Sequence, residues 1–396
     1  MNFKKLTDLG DISGKKVLLR VDFNVPLKID GTVQDDTRIT ASIPTIKFLQ
    51  EKGAKVIIIS HLGRPKGEKS PELSLVNISK HLEQLLNQKI QFSEESIGEK
   101  VEQTISEMKN GEILILENIR FHKEEEECEE KFTKELAHLG EIFVNDAFGT
   151  AHRRHASTAG LADYLPAYPG LLMEKEIEHL SPLLHSEIKR PLVMIFGGAK
   201  IDTKIGVIQN FLNKADTFLI GGGLANTFLF ANGKNVGSSL CEKDKSELAK
   251  SIMEECSRNK KLFLLPKDVV VSTEISEDAI TKNISSDSVS EDEKILDIGI
   301  ETAKEYAEEV KTAGTIIWNG PLGLCELKPF QNGSKIVAEA VAENKGTTIL
   351  GGGDTADSIK RLNIPEDKFT HISTGGGAAI EYLSGETLPG IECLKA

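Results

Sequence analysis

Short runs of apolar residues, many of them β-branched, alternate along this chain with stretches in which apolar residues recur every three or four positions. The first pattern predicts buried strands, and the second predicts amphipathic helices. The predicted strands are Lys16–Val21, Lys55–Ser60, Glu112–Leu116, Ile142–Asn145, Leu192–Phe196, Thr217–Ile220, Leu262–Leu265, Thr315–Trp318 and Thr347–Leu350, and the predicted helices include Ile39–Glu51, Glu301–Ala313 and Ser334–Glu343. This alternation is typical of an α/β fold with helices on both faces of a parallel sheet. Ligands of such sheets bind beyond the carboxyl ends of the strands.

The length of the chain, 396 residues, exceeds what one hydrophobic core usually serves, so we expect two domains. The best boundary lies between Pro169 and Pro191, where a helix-like stretch, Leu171–His185, precedes a new strand. Two polar stretches indicate surface structure. Glu124–Glu130 is interpreted as a solvated helix face and Thr273–Asp297 as a surface excursion.

Composition narrows the class of protein. A net charge of -13 argues against nucleic acid or an anionic membrane as a partner. The five cysteines are scattered without CxxC spacing, which favours reduced thiols. The N-terminus shows no apolar core of signal-peptide length, and no apolar run approaches the roughly 18 residues of a membrane span. We therefore expect a cytoplasmic protein.

Arginine is rare in this chain and unevenly placed. Only nine of the 48 basic residues are arginine, and six of those nine lie in the first 154 positions. Four of them follow predicted strands or begin the next helix: Arg38, Arg64, Arg120 and Arg153. A guanidinium binds carboxylate or phosphate oxygens in pairs. One such arginine alone is more often part of a surface ion pair, but four at equivalent positions predict a site for a small, multiply charged anion.

Polar residues accompany these arginines. Asp22 and Asn24 alternate on one side of an extended segment after the first strand, although such residues are equally common in simple turns. His61 and Arg64 bracket Gly63 after the second strand. A single histidine is more often structural, but this arrangement favours a binding role.

Glycine-rich turns mark the second half. Three triplets, Gly221–Gly223, Gly351–Gly353 and Gly375–Gly377, join predicted strands to helices, and Gly197–Lys204 adds Lys200 and Lys204. Backbone N–H groups at such turns bind phosphate oxygens. Asp354 beside its triplet is a natural partner for Mg²⁺. Each triplet alone is equally consistent with a tight turn.

Taken together, eight motifs resemble those of the phosphoglycerate kinases. They are RVDFNVP, SHLGRP, ENIRFH, DAFGTAHR, GGAK, WNGPLG, GGGDTA and STGGGA, and they run across nearly the whole chain in the order found in that family. The resemblance implies two Rossmann-like lobes, each with a doubly wound, mainly parallel sheet. Residues 1–170, with a returning tail from about 380–396, would bind 3-phosphoglycerate; 171–190 would form a hinge helix, and 191–379 would bind nucleotide.

The resemblance also implies an activity. This is reversible phosphoryl transfer between 1,3-bisphosphoglycerate and MgADP, giving 3-phosphoglycerate and MgATP, by direct in-line transfer with hinge-bending closure. It further implies Mg²⁺ as cofactor and a monomer as the active form.

Residue roles follow from the same resemblance. The substrate ligands would be Asp22, Asn24, Arg38, His61, Leu62, Gly63, Arg64, Arg120 and Arg153. The catalytic groups would be Arg38, Lys200, Gly375 and Gly376. The nucleotide ligands would be Lys200, Lys204, Ile295, Glu326, Gly352, Gly353, Asp354 and Thr355, with Asp354 also meeting the metal.

Some positions depart from the family pattern. They are Thr203, Ile295, Ile300, Arg154 and Ala379. The first three bear on nucleotide affinity and base preference rather than on the arginine ligands. Two other classes of protein share parts of this pattern. A nicotinamide-dependent dehydrogenase would need a GxGxxG after a strand and an acidic residue roughly 20 positions later, which this chain lacks. A non-catalytic phosphate-binding regulator would be expected to have lost Arg38, Lys200 or Asp354, and all three are present.

Overall fold

Two units, each built on its own parallel sheet, make up the chain. The computed structural model describes residues 3–184 and 188–395. One unit comprises Met1–Glu178 together with Thr387–Ala396, and the other comprises His179–Glu386. The expected α/β architecture is confirmed, because each unit contains a six-stranded sheet with interleaved helices.

The first unit has the strand order β3-β4-β2-β1-β5-β6, and all its strands are parallel. The strands are β1 (Lys16–Arg20), β2 (Lys55–Ile59), β3 (Gln91–Phe92), β4 (Ile113–Ile115), β5 (Ile142–Asn145) and β6 (Ala167–Pro169). The helices are α1 (Thr37–Glu51), α2 (Val76–Leu86), α3 (Glu99–Glu107), α4 (Lys123–Glu127) and α5 (Glu130–His138), and α6 (Leu171–Leu184) includes the boundary between the units. Val17, Leu18 and Leu19 of β1 are all fully buried, since helices cover both faces of the sheet.

The second unit has the parallel order β15-β14-β13-β7-β8-β9 and a separate antiparallel sheet, β11-β10-β12. Its strands are β7 (Leu192–Phe196), β8 (Thr217–Ile220), β9 (Leu262–Leu264), β10 (Asp268–Ser272), β11 (Lys282–Ser285), β12 (Lys294–Ile298), β13 (Thr315–Asn319), β14 (Thr347–Gly351) and β15 (His371–Ile372). Its helices are α7 (Ile205–Phe211), α8 (Gly222–Ala231), α9 (Ser246–Arg258), α10 (Ile300–Lys311), α11 (Asn332–Glu343), α12 (Gly353–Arg361) and α13 (Gly377–Leu383).

The last helix, α14 (Pro389–Glu392), belongs to the first unit. The Asn145 side chain donates a hydrogen bond of 3.2 Å to the carbonyl of Gly390, and Gly390 N–H donates to the carbonyl of Ala151. A Cβ at Gly390 would lie 2.8 Å from Cα of Ala151, so the tail packs backbone against backbone. The returning tail is thus part of the core of the first unit.

Three stretches of the chain differ in part from what the sequence predicts or are only partly described. Thr273–Asp297 is not only a surface excursion, because it supplies β11 and most of β12. Glu124–Glu130 is not uniformly solvated, because Glu125 is completely buried. The expected helix Leu171–His185 is observed as α6 as far as Leu184, and residues 185–187 lie outside the described part of the chain. No helix within the described ranges is long and apolar enough to cross a membrane.

Candidate active site

In the first unit, the segments that follow β1 and β2 meet at one edge of the sheet. Parallel strands bring their carboxyl ends to the same edge, so sequence-distant segments become neighbours there. Asn24 Oδ1 accepts a hydrogen bond of 2.9 Å from the N–H of Gly63. Phe23 N–H donates to Ser60 Oγ at 2.9 Å. These bonds join the two segments into one surface.

Arg38 lies in the first turn of α1, and its guanidinium is held in place by an ion pair with Asp22. Its Nη1 donates to Asp22 Oδ2 at 3.0 Å and to the carbonyl of Asn24 at 3.1 Å. Asp22 is buried, whereas a third of the Arg38 side chain remains exposed. The carboxylate therefore orients the guanidinium while leaving part of it open to a ligand.

Arg120 approaches the same surface from the turn after β4. Its Nη1 donates to the carbonyl of Gly63 at 3.0 Å, and its Nε lies 3.3 Å from Glu126 Oε1. Burial, followed by the charge of Arg20, lowers the pKa of Arg120 to about 10. Arg120 therefore remains a cation at neutral pH.

The Leu62–Gly63 turn is held by Asn118, which also lies after β4. Asn118 Nδ2 donates to the carbonyls of Leu62 and Leu73 at 2.8 and 2.9 Å, and its Oδ1 accepts from the N–H of Arg120 at 3.1 Å. Gly63 has a φ of +63°, and a Cβ there would lie 2.8 Å from Leu73 Cδ2. Glycine thus allows the turn to pack close to Leu73 while its two backbone groups bond Asn24 and Arg120.

The other two predicted arginines, Arg153 and Arg64, make no hydrogen bond to the other predicted ligands in the described part of the chain. Arg153 Nε donates to His152 Nε2 at 3.0 Å, and Arg153 is near enough to contribute to the lowered pKa of Arg120. Arg64 follows Gly63, but its exposed guanidinium makes no hydrogen bond or ion pair within residues 3–184 and 188–395. The structure thus brings Asp22, Asn24, Arg38, Gly63 and Arg120 together directly.

Sequence reasoning missed three buried residues behind this surface: Arg20, Glu125 and Ser157. Arg20 and Glu125 are fully buried, and both bond the side chain of Ser157. Burial raises the pKa of Glu125, and the positive charge of Arg20 opposes that rise. Arg20 was visible as the arginine that ends a strand, but nothing in the local sequence pairs it with Glu125.

The second unit contains a cleft of about 310 Å³. Among the residues predicted to bind nucleotide, Ile295, Glu326 and Asp354 line it. Most of the other residues that line the cleft are glycine or apolar. Two of these apolar residues, Leu240 and Ile275, have largely exposed side chains. This combination, an apolar slot with a few carboxylates, suits a flat base and the hydroxyl groups of a ribose.

One wall of the cleft consists of three turns packed backbone to backbone. A Cβ at Gly222, where φ is +60°, would lie 2.7 Å from the nitrogen of Gly198 and 2.8 Å from the carbonyl oxygen of Pro321. A Cβ at Gly197 would lie 2.0 Å from that same carbonyl oxygen. The glycines of this region are therefore required by close approach as well as by turn geometry.

Asp354 and Lys204 form the charged part of this unit's candidate site. Asp354 is exposed in the first turn of α12, directly after Gly352 (φ +91°) and Gly353. Burial lowers the pKa of Lys204, and the carboxylate of Asp354 opposes that shift. Thr355 has a different position, because its buried hydroxyl donates to the carbonyl of Gly351 and accepts from the N–H of Gly320, both at 2.7 Å. Its side chain holds two turns together.

Lys200, Gly375 and Gly376 do not line the cleft. Lys200 is exposed on the turn between β7 and α7, and its carbonyl accepts from Thr203 Oγ1 at 3.0 Å. Gly375 N–H donates to Ser373 Oγ at 3.1 Å, and Gly376, with φ +51°, precedes α13. The turn that carries Thr203, one of the departures from the family pattern, is thus held by Thr203 itself.

Asp297 supports the cleft from inside. It accepts from the N–H of Gly333 at 2.7 Å and from Ser334 Oγ at 3.1 Å, at the start of α11. Burial raises its pKa to about 7. A Cβ at Gly323 would lie 2.2 Å from Asp297 Oδ1, so this carboxyl group also shapes the turn at the cleft. In the part of the chain that the structure describes, no group of three or more His, Cys, Asp or Glu side chains is arranged to hold a metal ion.

Known proteins resemble this chain over almost all its length. The sequence profile of the family described as "Phosphoglycerate kinase" matches residues 6–386. The curated phosphoglycerate kinase of Dictyoglomus turgidum (strain DSM 6724 / Z-1310) is 52% identical over 395 residues, covering 99% of each protein. The solved phosphoglycerate kinase of Coxiella burnetii is 39% identical with a TM-score of 0.88, covering 99% of this chain and 98% of that one. The phosphoglycerate kinase of Pyrococcus horikoshii OT3 is 36% identical with a TM-score of 0.87, covering 98% of each.

Proposed function

This chain belongs to the phosphoglycerate kinase family, whose reaction is the reversible, ATP-forming transfer of a phosphoryl group from 1,3-bisphosphoglycerate to ADP in glycolysis, and we propose that its two candidate sites divide that reaction between them. The strand-end surface of the first unit would bind 3-phosphoglycerate or 1,3-bisphosphoglycerate. The cleft of the second unit would bind ADP or ATP. The observation that carries this division is the joining of Asp22, Asn24, Arg38, Gly63 and Arg120 at one sheet edge.

On the acyl-phosphate side, each proposed role follows from the chemistry of the side chain. Arg64, Arg120 and Arg153 would bind the distal phosphate, because a guanidinium pairs with phosphate oxygens in a bidentate manner. Asp22 and Asn24 offer acceptors for the substrate hydroxyl group, and His61 with the Leu62–Gly63 turn completes the surface. Arg38, fixed by Asp22 but still partly open, would neutralise charge on the phosphoryl group in transit.

On the nucleotide side, the cleft supplies both apolar and charged contacts. Ile295 would contact the base and Glu326 the ribose, since both line the cleft. Gly352 and Gly353 would hold phosphates at the start of α12, with Lys204 nearby, and Thr355 would fix the turn that carries them. The residues present fit Mg²⁺, because Asp354 is an exposed carboxylate in the cleft and Mg²⁺ is commonly held by one carboxylate plus nucleotide phosphates. Asp354 would hold the ion, whose positive charge would offset the negative charge of the nucleotide phosphates.

The transfer itself needs no general base. The acceptor is either the carboxylate of 3-phosphoglycerate or the terminal phosphate of ADP, and neither has a proton to lose. Lys200 and the backbone N–H groups of Gly375 and Gly376 would stabilise the moving phosphoryl group together with Arg38. We propose that binding of both substrates closes the lobes about the connecting helix, because in-line transfer requires the reacting atoms to come within roughly 3–3.5 Å.

A coupled assay tests this function. Purified protein with 3-phosphoglycerate, ATP and Mg²⁺ should form 1,3-bisphosphoglycerate, detected through the oxidation of NADH by glyceraldehyde-3-phosphate dehydrogenase. Turnover that persists without 3-phosphoglycerate, or without added divalent cation in the presence of a chelator, would contradict the proposed sites. A phosphate-binding regulator would bind both ligands in calorimetry and yield no product. We also propose that the protein acts as a cytoplasmic monomer, which size-exclusion chromatography with light scattering would check.

A further inference from the structure

Arg20 lies at the end of β1, and all the observed hydrogen-bond partners of its side chain are groups of the protein itself. Its Nε donates to Ser157 Oγ at 2.8 Å, its Nη1 donates to the carbonyl of Val21, and its Nη2 lies 3.2 Å from His61 Nδ1. The side chain has no exposed surface. Arg20 therefore differs from Arg38, which keeps an open face, and it is placed to act on His61 and not on a ligand.

Ser157 links Arg20 to a buried carboxylate. Ser157 Oγ donates to Glu125 Oε1 at 2.6 Å, and Ser157 N–H donates to Glu125 Oε2 at 2.9 Å. Because the Ser157 hydroxyl has one proton, which it gives to Glu125, its oxygen is left to accept from Arg20 Nε. The direction of every bond from Glu125 to Arg20 is thus determined. All three residues are fully buried, so water does not compete for these groups.

The same reasoning determines the state of the His61 ring. A guanidinium has only N–H groups and no acceptor, so the nitrogen that faces Arg20 Nη2 must offer a lone pair. His61 Nδ1 is then unprotonated, and the ring proton resides on Nε2. Protonating Nδ1 would place two donors face to face and add a positive charge beside Arg20, Arg120 and Arg38.

We propose that Glu125, Ser157 and Arg20 form a relay of positioning residues that holds His61 as a neutral imidazole with its proton on Nε2, ready to donate to a substrate oxygen. The role of His61 toward substrate rests on the proposed function; the state of the ring does not. His61 would then contribute a directed hydrogen bond to the anion site, while positive charge comes from the arginines. The negative charge of Glu125 balances Arg20, which keeps the relay itself electrically neutral.

The electrostatics agree with this geometry. The pKa of His61 lies well below its ordinary value because of burial first, and then because of Arg20, Arg120, Arg38 and His155. His155 is a neutral neighbour, since burial first, and then Arg120, Arg20 and Arg153, lower its pKa to about 3. We therefore expect the contribution of His61 to anion binding to be constant through the range in which a free histidine titrates.

Nitrogen NMR of protein labelled with ¹⁵N-histidine tests the ring state directly. The His61 signals are assigned by their loss in His61→Gln. We expect an unprotonated Nδ1 and a protonated Nε2 from about pH 5.5 to pH 8, across the ordinary histidine pKa. A proton on Nδ1, or titration of the ring near pH 6.5, would overturn the relay.

Variants then test the relay itself. Ser157→Ala and Glu125→Gln should introduce the other tautomer or restore titration of His61. Both should raise KM for 3-phosphoglycerate by about tenfold, the size of one lost hydrogen bond to a charged group, and leave KM for ADP unchanged. Ser79→Ala is the matched control, because Ser79 is also buried in this unit but bonds none of these residues. Thermal melting checks that each variant is folded. A raised KM with an unchanged His61 tautomer would show that the residues only support packing, and would refute the proposal.

A second pair separates this inference from the proposed function. The side-chain nitrogen of glutamine lies near the position of Nε2, whereas that of asparagine lies near Nδ1. His61→Gln should therefore keep more affinity for 3-phosphoglycerate than His61→Asn. If both variants bind 3-phosphoglycerate as the unmodified protein does, His61 is not a substrate ligand, and the proposed function loses that contact. The NMR result would still decide the relay.

Discussion

Replacing Gly222 with alanine should damage the nucleotide cleft more than replacing another left-handed glycine that lies just beyond the end of the same helix. Gly222 begins α8, and its φ of +60° is one that alanine adopts only at a cost. The added Cβ would also meet backbone atoms of Gly198 and Pro321 at 2.7–2.9 Å. Backbone atoms cannot rotate out of the way as the end of a side chain can. Gly233, just after α8, has φ +80° and nothing within 4 Å of its Cβ position.

The two variants therefore differ by one physical effect. Each carries a left-handed alanine, which costs about 1–2 kcal/mol. Only Gly222→Ala adds overpacking, for which about 1–3 kcal/mol is typical. In a unit of about 200 residues, each kcal/mol lowers the melting temperature by about 2–4 °C, so the two variants should differ by roughly 2–12 °C.

Calorimetry with ADP and with 3-phosphoglycerate completes the comparison. Gly222→Ala should bind ADP at least about tenfold more weakly, because the turns that line the cleft must move apart, and should bind 3-phosphoglycerate normally. Gly233→Ala should bind both ligands as the unmodified protein does. Equal melting temperatures and equal ADP affinities for the two variants would refute the view that close backbone packing shapes the cleft.

Four other outcomes are expected. Lys200→Ala should lower kcat by about 10²-fold or more with a smaller change in KM, because the charge of Lys200 would act mainly in the transition state. Steady-state kinetics measure both constants, and an unchanged kcat would exclude Lys200 from the mechanism. Arg38→Ala should likewise reduce kcat, whereas Arg64→Ala and Arg120→Ala should raise KM for 3-phosphoglycerate. Sulfate should compete with 3-phosphoglycerate in the unmodified protein and compete less well in the latter two variants. If sulfate does not affect 3-phosphoglycerate binding to the unmodified protein, the anion site is contradicted. Asp354→Asn should weaken MgADP binding in calorimetry and spare 3-phosphoglycerate; equal losses would indicate a general structural defect. Small-angle scattering should show a smaller radius of gyration with both substrates bound than with either alone, and a constant radius in an active enzyme would disprove closure.

Much of the fold could be predicted, because strands buried on both faces form unbroken apolar runs. The bounds of β5, β7 and β8 coincide with those predicted, and α1, α10 and α11 begin and end within two residues of prediction. The two-residue strands β3 and β15 are too short for any periodic pattern to appear. β11 was missed because Lys282, Asn283 and Ser285 are polar and exposed, and its pairing with β10 comes from tertiary structure.

The candidate site was predictable only where it depends on topology. Residues after parallel strands converge at one edge whatever their separation along the chain, which is why Asn24, Gly63 and Arg120 could be grouped from sequence. Glu125 could not, since it stands in a run of glutamates in which its neighbours Glu126 and Glu127 are exposed. Its buried carboxylate accepts hydrogen bonds from Ser157, 32 residues away, and only the folded chain reveals that contact.

The return of the C-terminal tail to the first unit also affects how the protein is made. Residues 179–386 form the second unit without interruption, whereas the first unit needs Thr387–Ala396, where Gly390 packs against Ala151. At about 5–20 residues per second, a ribosome needs about 10–40 seconds to make the intervening two hundred residues. During that time the nascent first unit lacks the segment that covers Ala151 and bonds Asn145. The N-terminal unit, although begun earlier, therefore cannot be completed until the last residues of the chain have been made.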